Sequence, residues 1–177
     1  MRPTLAISLF VSGQRALVIG DGPSAADRAS RLTEAGASIT SIPETAFIPA
    51  ALADHRLVFV CDEAQDPALA ARVHAAAHAH TPALLCYAQD RPEHSDFALP
   101  ALIRRGHVRV AISTEGAAPA LARRLREELD RLLDPRLASF ADALASERAA
   151  LPPGERRARL AARVAALRIE GVLHLPE

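Results

Sequence analysis

The chain has 177 residues, 50% of them hydrophobic, and 21 basic against 21 acidic side chains, so its formal charge is zero. That length holds one α/β core and a smaller appended piece, while the balanced charge excludes the basic excess that drives sequence-independent binding to phosphate backbones. Every basic side chain is arginine, which removes a lysine Schiff base and a Walker-type phosphate lysine from consideration. Cys61 and Cys86, each inside an apolar run, fit neither a disulfide framework nor a CxxC metal site and read as reduced core thiols. Met1–Phe10 lacks the pattern of a signal peptide, and no run reaches the roughly 18 apolar residues of a membrane span. The expectation is a cytoplasmic protein.

Taken in chain order, Arg15–Ile19 is strand-like, Ser24–Ala35 helical, Ser38–Ile42 and Leu57–Cys61 strand-like, Pro67–Ala79 helical and Ala83–Tyr87 strand-like. Strands spaced by helices predict βαβ units and a parallel sheet, and the scarcity of polar alternation predicts burial on both faces. A polar stretch, Ala88–Asp96, precedes two apolar runs, Phe97–Ile103 and His107–Ser113, with Gly106 turning between them. From Pro119 the spacing of Leu121, Leu125, Leu129 and Leu132 predicts a helix. Asp134-Pro135 ends it, and two more helical segments follow, around Arg136–Ala149 and Gly154–Ala166, divided by Pro152-Pro153-Gly154. This tail has too little core to fold alone, so packing against a second copy is expected, giving a homodimer.

Chemistry concentrates first at Gly20-Asp21-Gly22-Pro23-Ser24-Ala25, a GxGxxA directly after the first strand and ahead of a helix. In such a turn Gly20 permits the tight bend, Gly22 lets the backbone approach a pyrophosphate, and Ala25 keeps the helix close to the sheet. The helix N-terminus then offers N–H donors and a positive dipole to the phosphates. The acid that usually holds the adenosine ribose is replaced after the second strand by Pro43-Glu44-Thr45, which leaves Glu44 as the candidate. Arginine, which would answer a 2′-phosphate, is missing between Arg31 and Arg56. His74 and His78 lie four residues apart on a predicted helix. They could share a metal, but with no third ligand in view they read as a solvated face.

These residues, with Asp90, Pro92, Phe97 and Pro100 in the stretch from Cys86 to Pro100, resemble the siroheme synthase N-terminal family of precorrin-2 dehydrogenases and bifunctional dehydrogenase/ferrochelatases. A second signature, Ser113-Thr114-Glu115-Gly116-Ala117-Ala118-Pro119 followed by Leu121-Ala122-Arg123-Arg124-Leu125-Arg126, resembles the turn and helix that open that family's dimerisation region. The likeness runs from about Leu5 to Arg168. This chain departs from it at Asp21 and Ser24, where the family commonly shows the second Gly and the Val of Gly-Gly-Gly-x-Val, and at Val60-Cys61-Asp62, where Ala-Thr-Asp is common. A carboxylate at Asp21 repels a pyrophosphate unless it points away.

The resemblance implies a Rossmann-like α/β domain over residues 1–113, binding NAD, and a helical dimerisation and substrate region with a C-terminal helical module over 114–177, short for the family. It implies oxidation of precorrin-2 to sirohydrochlorin, with insertion of ferrous iron as a further activity and no resident metal. Asp90 is the implied base, at the carboxyl edge of the sheet where the nicotinamide should lie, and desolvation beneath a macrocycle would strengthen it. Gly20, Asp21, Gly22, Pro23, Ser24, Glu44 and Thr45 would hold the cofactor. Ser113, Thr114, Gly116 and His94 would meet the substrate or, for the first three, cap the following helix. The rival expectation is a tetrapyrrole carrier, or a chelatase alone, with a degenerate dinucleotide site.

Overall fold

Alternation along four short strands decides the architecture. The computed structural model describes residues 3–63 and 66–175, and in it β1 (Arg15–Ile19), β2 (Ser38–Ile42), β3 (Leu57–Val60) and β4 (Leu85–Ala88) form a parallel sheet in the order β2-β1-β3-β4. Ala16, Val18, Leu57 and Phe59 face one side, where α1 (Pro23–Glu34) supplies Ala25 and Leu32. Leu17, Ile19, Val58, Val60 and Cys86 face the other, where α2 (Pro67–Ala79) supplies Leu69, Val73 and Ala77. Leu17, Val18, Ile19 and Val58 have no exposed surface. Each such side chain contributes about 1.5–3 kcal/mol on burial, and covering both faces explains why β1 and β3 read as unbroken apolar runs.

The helix ends follow local chemistry. Pro23 occupies the first turn of α1 behind the N-cap Gly22, and Asp66 caps α2 by accepting from the Ala68 N–H at 2.9 Å. Burial pushes both thiols up, that of Cys86 to about 12 with the nearby Asp96 adding to the effect, so the expectation of inert core cysteines holds.

Two compact units divide between Ala98 and Leu99. The expected boundary at residue 113 lies beyond this, because β5 (Ala101–Arg105) and β6 (Val108–Ile112) pair antiparallel with each other rather than extending the parallel sheet. The apolar run from Phe97 becomes a strand only at Ala101, since Phe97 packs with Phe59 and Tyr87 of the first unit. In the second unit α3 (Pro119–Leu132) packs on this hairpin, with Arg105 bound to Asp130 at 2.8 Å, and α4 (Leu137–Ala150) and α5 (Arg156–Val164) follow. The leucine stripe of α3 is only partly covered: Leu121 and Leu132 are each 49% exposed. No described helix is long and apolar enough to cross a membrane.

A thiol reagent at mildly alkaline pH should label neither Cys61 nor Cys86 in the native chain and both after denaturation, because the thiolate is the reactive form. Rapid native labelling, followed by mass spectrometry, would contradict the burial described.

Candidate functional site

The carboxyl ends of β1 to β4 meet at one edge of the parallel sheet, and most of the expected site residues of the first unit lie there. Gly20 leaves β1 at φ +139°, and a Cβ on it would stand 2.5 Å from the Cys61 carbonyl oxygen. Only glycine passes that point, which is the tight turn expected of it. Beyond it the backbone enters α1 through Asp21, Gly22 and Pro23, and a cleft of about 340 Å³ opens beside the turn, lined among others by Gly20, Asp21, Gly22, Ala25, Ala29 and Pro43. The alanines leave this room between α1 and the end of β2. Glu44 and Thr45 begin a short 3-10 turn directly after Pro43 and do not line the cleft themselves.

The turn already holds an anion. Glu63, just past β3, accepts from the Ser24 N–H at 3.0 Å through Oε1, and a Cβ on Gly22 would run into its carboxylate. A backbone donor at a helix N-terminus, matched to a negative group, is the arrangement a pyrophosphate would use. The residues present therefore fit a dinucleotide, provided that the flexible Glu63 side chain swings away. Sequence reasoning missed Glu63; its one signal was the altered segment that follows the third strand.

Asp90 sits on the turn that closes β4. Its backbone is left-handed, φ +55°, and the Arg91 N–H donates to the Ala88 carbonyl at 3.2 Å. Asp tolerates this conformation better than most residues. Buried Ser95 secures the turn: its hydroxyl accepts from the Ala88 N–H at 3.0 Å, and its proton faces the carbonyls of Arg91 at 2.9 Å and Ala88 at 3.1 Å. The Asp90 side chain is left exposed. Next to it, Gln89 Nε2 reaches Ser24 Oγ at 3.4 Å, linking the Asp90 turn to the N-terminus of α1. Asp62 Oδ1 is buried without a hydrogen-bond partner among the described residues and lines a small cavity with Gln89 and Arg91. His94 ends the 3-10 turn Pro92–His94 and is half-buried.

Ser113, Thr114 and Gly116 belong to the second unit. Ser113 Oγ accepts from the Glu115 N–H at 3.1 Å and Thr114 Oγ1 from the Ala118 N–H at 3.2 Å. Gly116 has φ +80° and open space where a Cβ would go. The two hydroxyls shape the loop ahead of α3, whose N-cap is Ala118.

A parallel sheet with a glycine turn running into α1 defines a nicotinamide-dinucleotide-binding α/β domain. Residues 7–101, more than half the chain, match the family described as "Putative NAD(P)-binding", and residues 105–132 match "Sirohaem biosynthesis protein central". The siroheme synthase of Gluconobacter oxydans is 34% identical over 166 residues, 81% of this chain and 34% of that protein. That of Neisseria meningitidis serogroup C is 32% identical over 150 residues, 75% of this chain and 30% of that protein. The chain thus spans about a third of the length of these relatives. The solved structure named "SirC, precorrin-2 dehydrogenase" shares the fold, with a TM-score of 0.73 at 20% identity over 91% of this chain and 89% of that one. The chain belongs to the siroheme synthase N-terminal family.

Replacing Glu63 by Gln removes the competing charge from the turn. NAD affinity, read by calorimetry, should rise by up to about tenfold, equivalent to about 1.4 kcal/mol. Unchanged affinity would mean that the carboxylate leaves the turn at no cost.

Proposed function

We propose that this chain oxidises precorrin-2 to sirohydrochlorin with NAD, in the cytoplasm and as a homodimer. The observation that carries the reading is the Gln89–Ser24 contact, because it sets an exposed carboxylate, Asp90, beside the helix N-terminus suited to a pyrophosphate. Family membership supplies the reaction class. NAD, when bound, takes the hydride; the chain's own residues do the rest.

Gly20 and Gly22 would admit the pyrophosphate, the Ser24 N–H would donate to it, and Glu44 is the acid nearest in sequence to the end of β2, where the ribose hydroxyls are expected. NAD is preferred over NADP because no arginine follows β2 before Arg56. Asp90 accepts the proton released as the substrate is oxidised. Its left-handed turn, tied down by Ser95, fixes where that oxygen stands, and fixed placement is what makes a general base efficient. Insertion of ferrous iron would call on the same carboxylate to receive the pyrrole protons, with His94, four residues on in sequence, as a candidate helper. Ser113, Thr114 and Gly116 would offer hydroxyls and backbone N–H groups to the carboxylates of the macrocycle.

A carrier or chelatase with a degenerate turn is favoured by one observation, the presence of Asp21 and Glu63 at the pyrophosphate position. NAD binding separates the two readings. Purified protein incubated anaerobically with precorrin-2 and NAD should release sirohydrochlorin and NADH in equal amounts, and Asp90→Asn should lower the rate by about 10²–10⁴-fold with NAD affinity unchanged. Bound sirohydrochlorin with neither product formed would favour the carrier. The exposed leucines of α3 support the dimer; sedimentation should give twice the chain mass of 18.8 kDa, and Leu121→Glu with Leu132→Glu should shift it toward the monomer.

A further inference from the structure

Away from the glycine turn, the first unit gathers a second cluster of ligating side chains. His74 and His78, one turn apart on α2, point their Nε2 atoms at the same oxygen, Oδ1 of Asp96, at 3.6 and 2.8 Å. Their rings stand 4.1 Å apart, and the three ligating atoms lie within 4.8 Å of one another. The other carboxylate oxygen of Asp96 is occupied, accepting from the Cys86 N–H at 2.8 Å, so the group is held with one oxygen presented to the imidazoles. A third imidazole, His94, lies 5.8 Å from that of His74, ring centre to ring centre.

An ion pair explains this arrangement poorly. One carboxylate oxygen engages His78 at hydrogen-bonding distance and leaves His74 beyond it, while protonating both neighbouring rings would set two cations against each other. A single divalent ion would satisfy all three donors. Ligands on a tetrahedral ion with bonds of about 2.0–2.1 Å stand about 3.3 Å apart, and the observed 2.8 and 3.6 Å bracket that spacing. The hydrogen bond from Cys86 is the kind of outer contact that orients a metal-bound carboxylate. The side chains of His74 and Asp96 are 23% and 19% exposed and that of His78 48%, which leaves an approach from solvent.

We propose that His74, His78 and Asp96 form a binding site for a divalent first-row transition-metal ion. Two imidazoles and one carboxylate select zinc, cobalt, nickel or ferrous iron over magnesium and calcium, which prefer all-oxygen shells. The site stands independently of the dehydrogenase reading, since none of its ligands is assigned a part in hydride or proton transfer.

The test uses the whole chain, stripped with a chelator and titrated with Co(II). The expected result is one ion per chain, visible d–d bands of a low-coordinate site, and Co(II)-shifted N–H resonances from two histidines in the wild-type protein. In a parallel competition against a chromogenic chelator, His78→Ala and His74→Gln should each weaken Zn(II) binding by at least about tenfold, with the far-ultraviolet circular dichroism unchanged. The wild-type resonances decide the matter even if a variant misfolds. Absence of shifted histidine signals, or undiminished Zn(II) affinity in both folded variants, would overturn the proposal and leave a His78–Asp96 ion pair.

Discussion

The open edge of β4 is the constraint from which the functional half of the first unit follows. Among the described residues β4 pairs with β3 on one side only, and its outward N–H groups, on Cys86 and Ala88, need partners that no fifth parallel strand among those residues supplies. Two consecutive side chains close that edge: the Asp96 carboxylate takes the Cys86 N–H and the Ser95 hydroxyl takes the Ala88 N–H. An uncovered edge invites pairing with another chain, and an unsatisfied buried N–H costs about 1–3 kcal/mol. Meeting both demands forces the chain to double back within a few residues of β4. That reversal makes the tight turn in which Asp90 is held left-handed.

The same closure places chemistry on both faces of the sheet. On the α1 side it brings Phe97 against Phe59 and Tyr87, with the Arg28 guanidinium over the rings of Phe59 and Tyr87 at 5.7 and 5.3 Å. On the α2 side it carries Asp96 to His74 and His78. Burial opposes ionisation of Asp96, yet the Cys86 N–H and the facing His78 outweigh it and hold the carboxyl below its ordinary value. His74 is shifted down by burial and by the neighbouring imidazole. A short polar segment between two apolar runs thus serves the edge of the sheet, the candidate base and the imidazole cluster together.

The glycine turn depends on a different closeness. Gly20 passes so near the Cys61 carbonyl that a side chain is excluded there, whereas Gly22 faces only the flexible end of Glu63. The first glycine is demanded by the fold and the second by whatever anion approaches. Glu63 at the Ser24 N–H shows the electrostatic preference of that position and marks the charge that a bound dinucleotide has to displace.

Much of this could be read from the chain alone, because it rests on local patterns. Apolar runs of strand length separated by helical stretches announced the parallel sheet and GxGxxA announced the turn, while Asp90 was implied by the resemblance that Asp90, Pro92, Phe97 and Pro100 carry. Two apolar cysteines announced inert thiols. Long-range geometry was not legible. His74 and His78 revealed their spacing but not their third partner, since Asp96 reaches them only through the reversal after β4. Glu63 meets Ser24 across 39 residues of sequence, and the run beginning at Phe97 looked like one element although its first residues pack with the aromatic cluster and its last pair with β6. Periodicity determines which face of an element is apolar; which distant side chain completes a site was decided by the order of the strands and by the unmet hydrogen bonds at the sheet's edge.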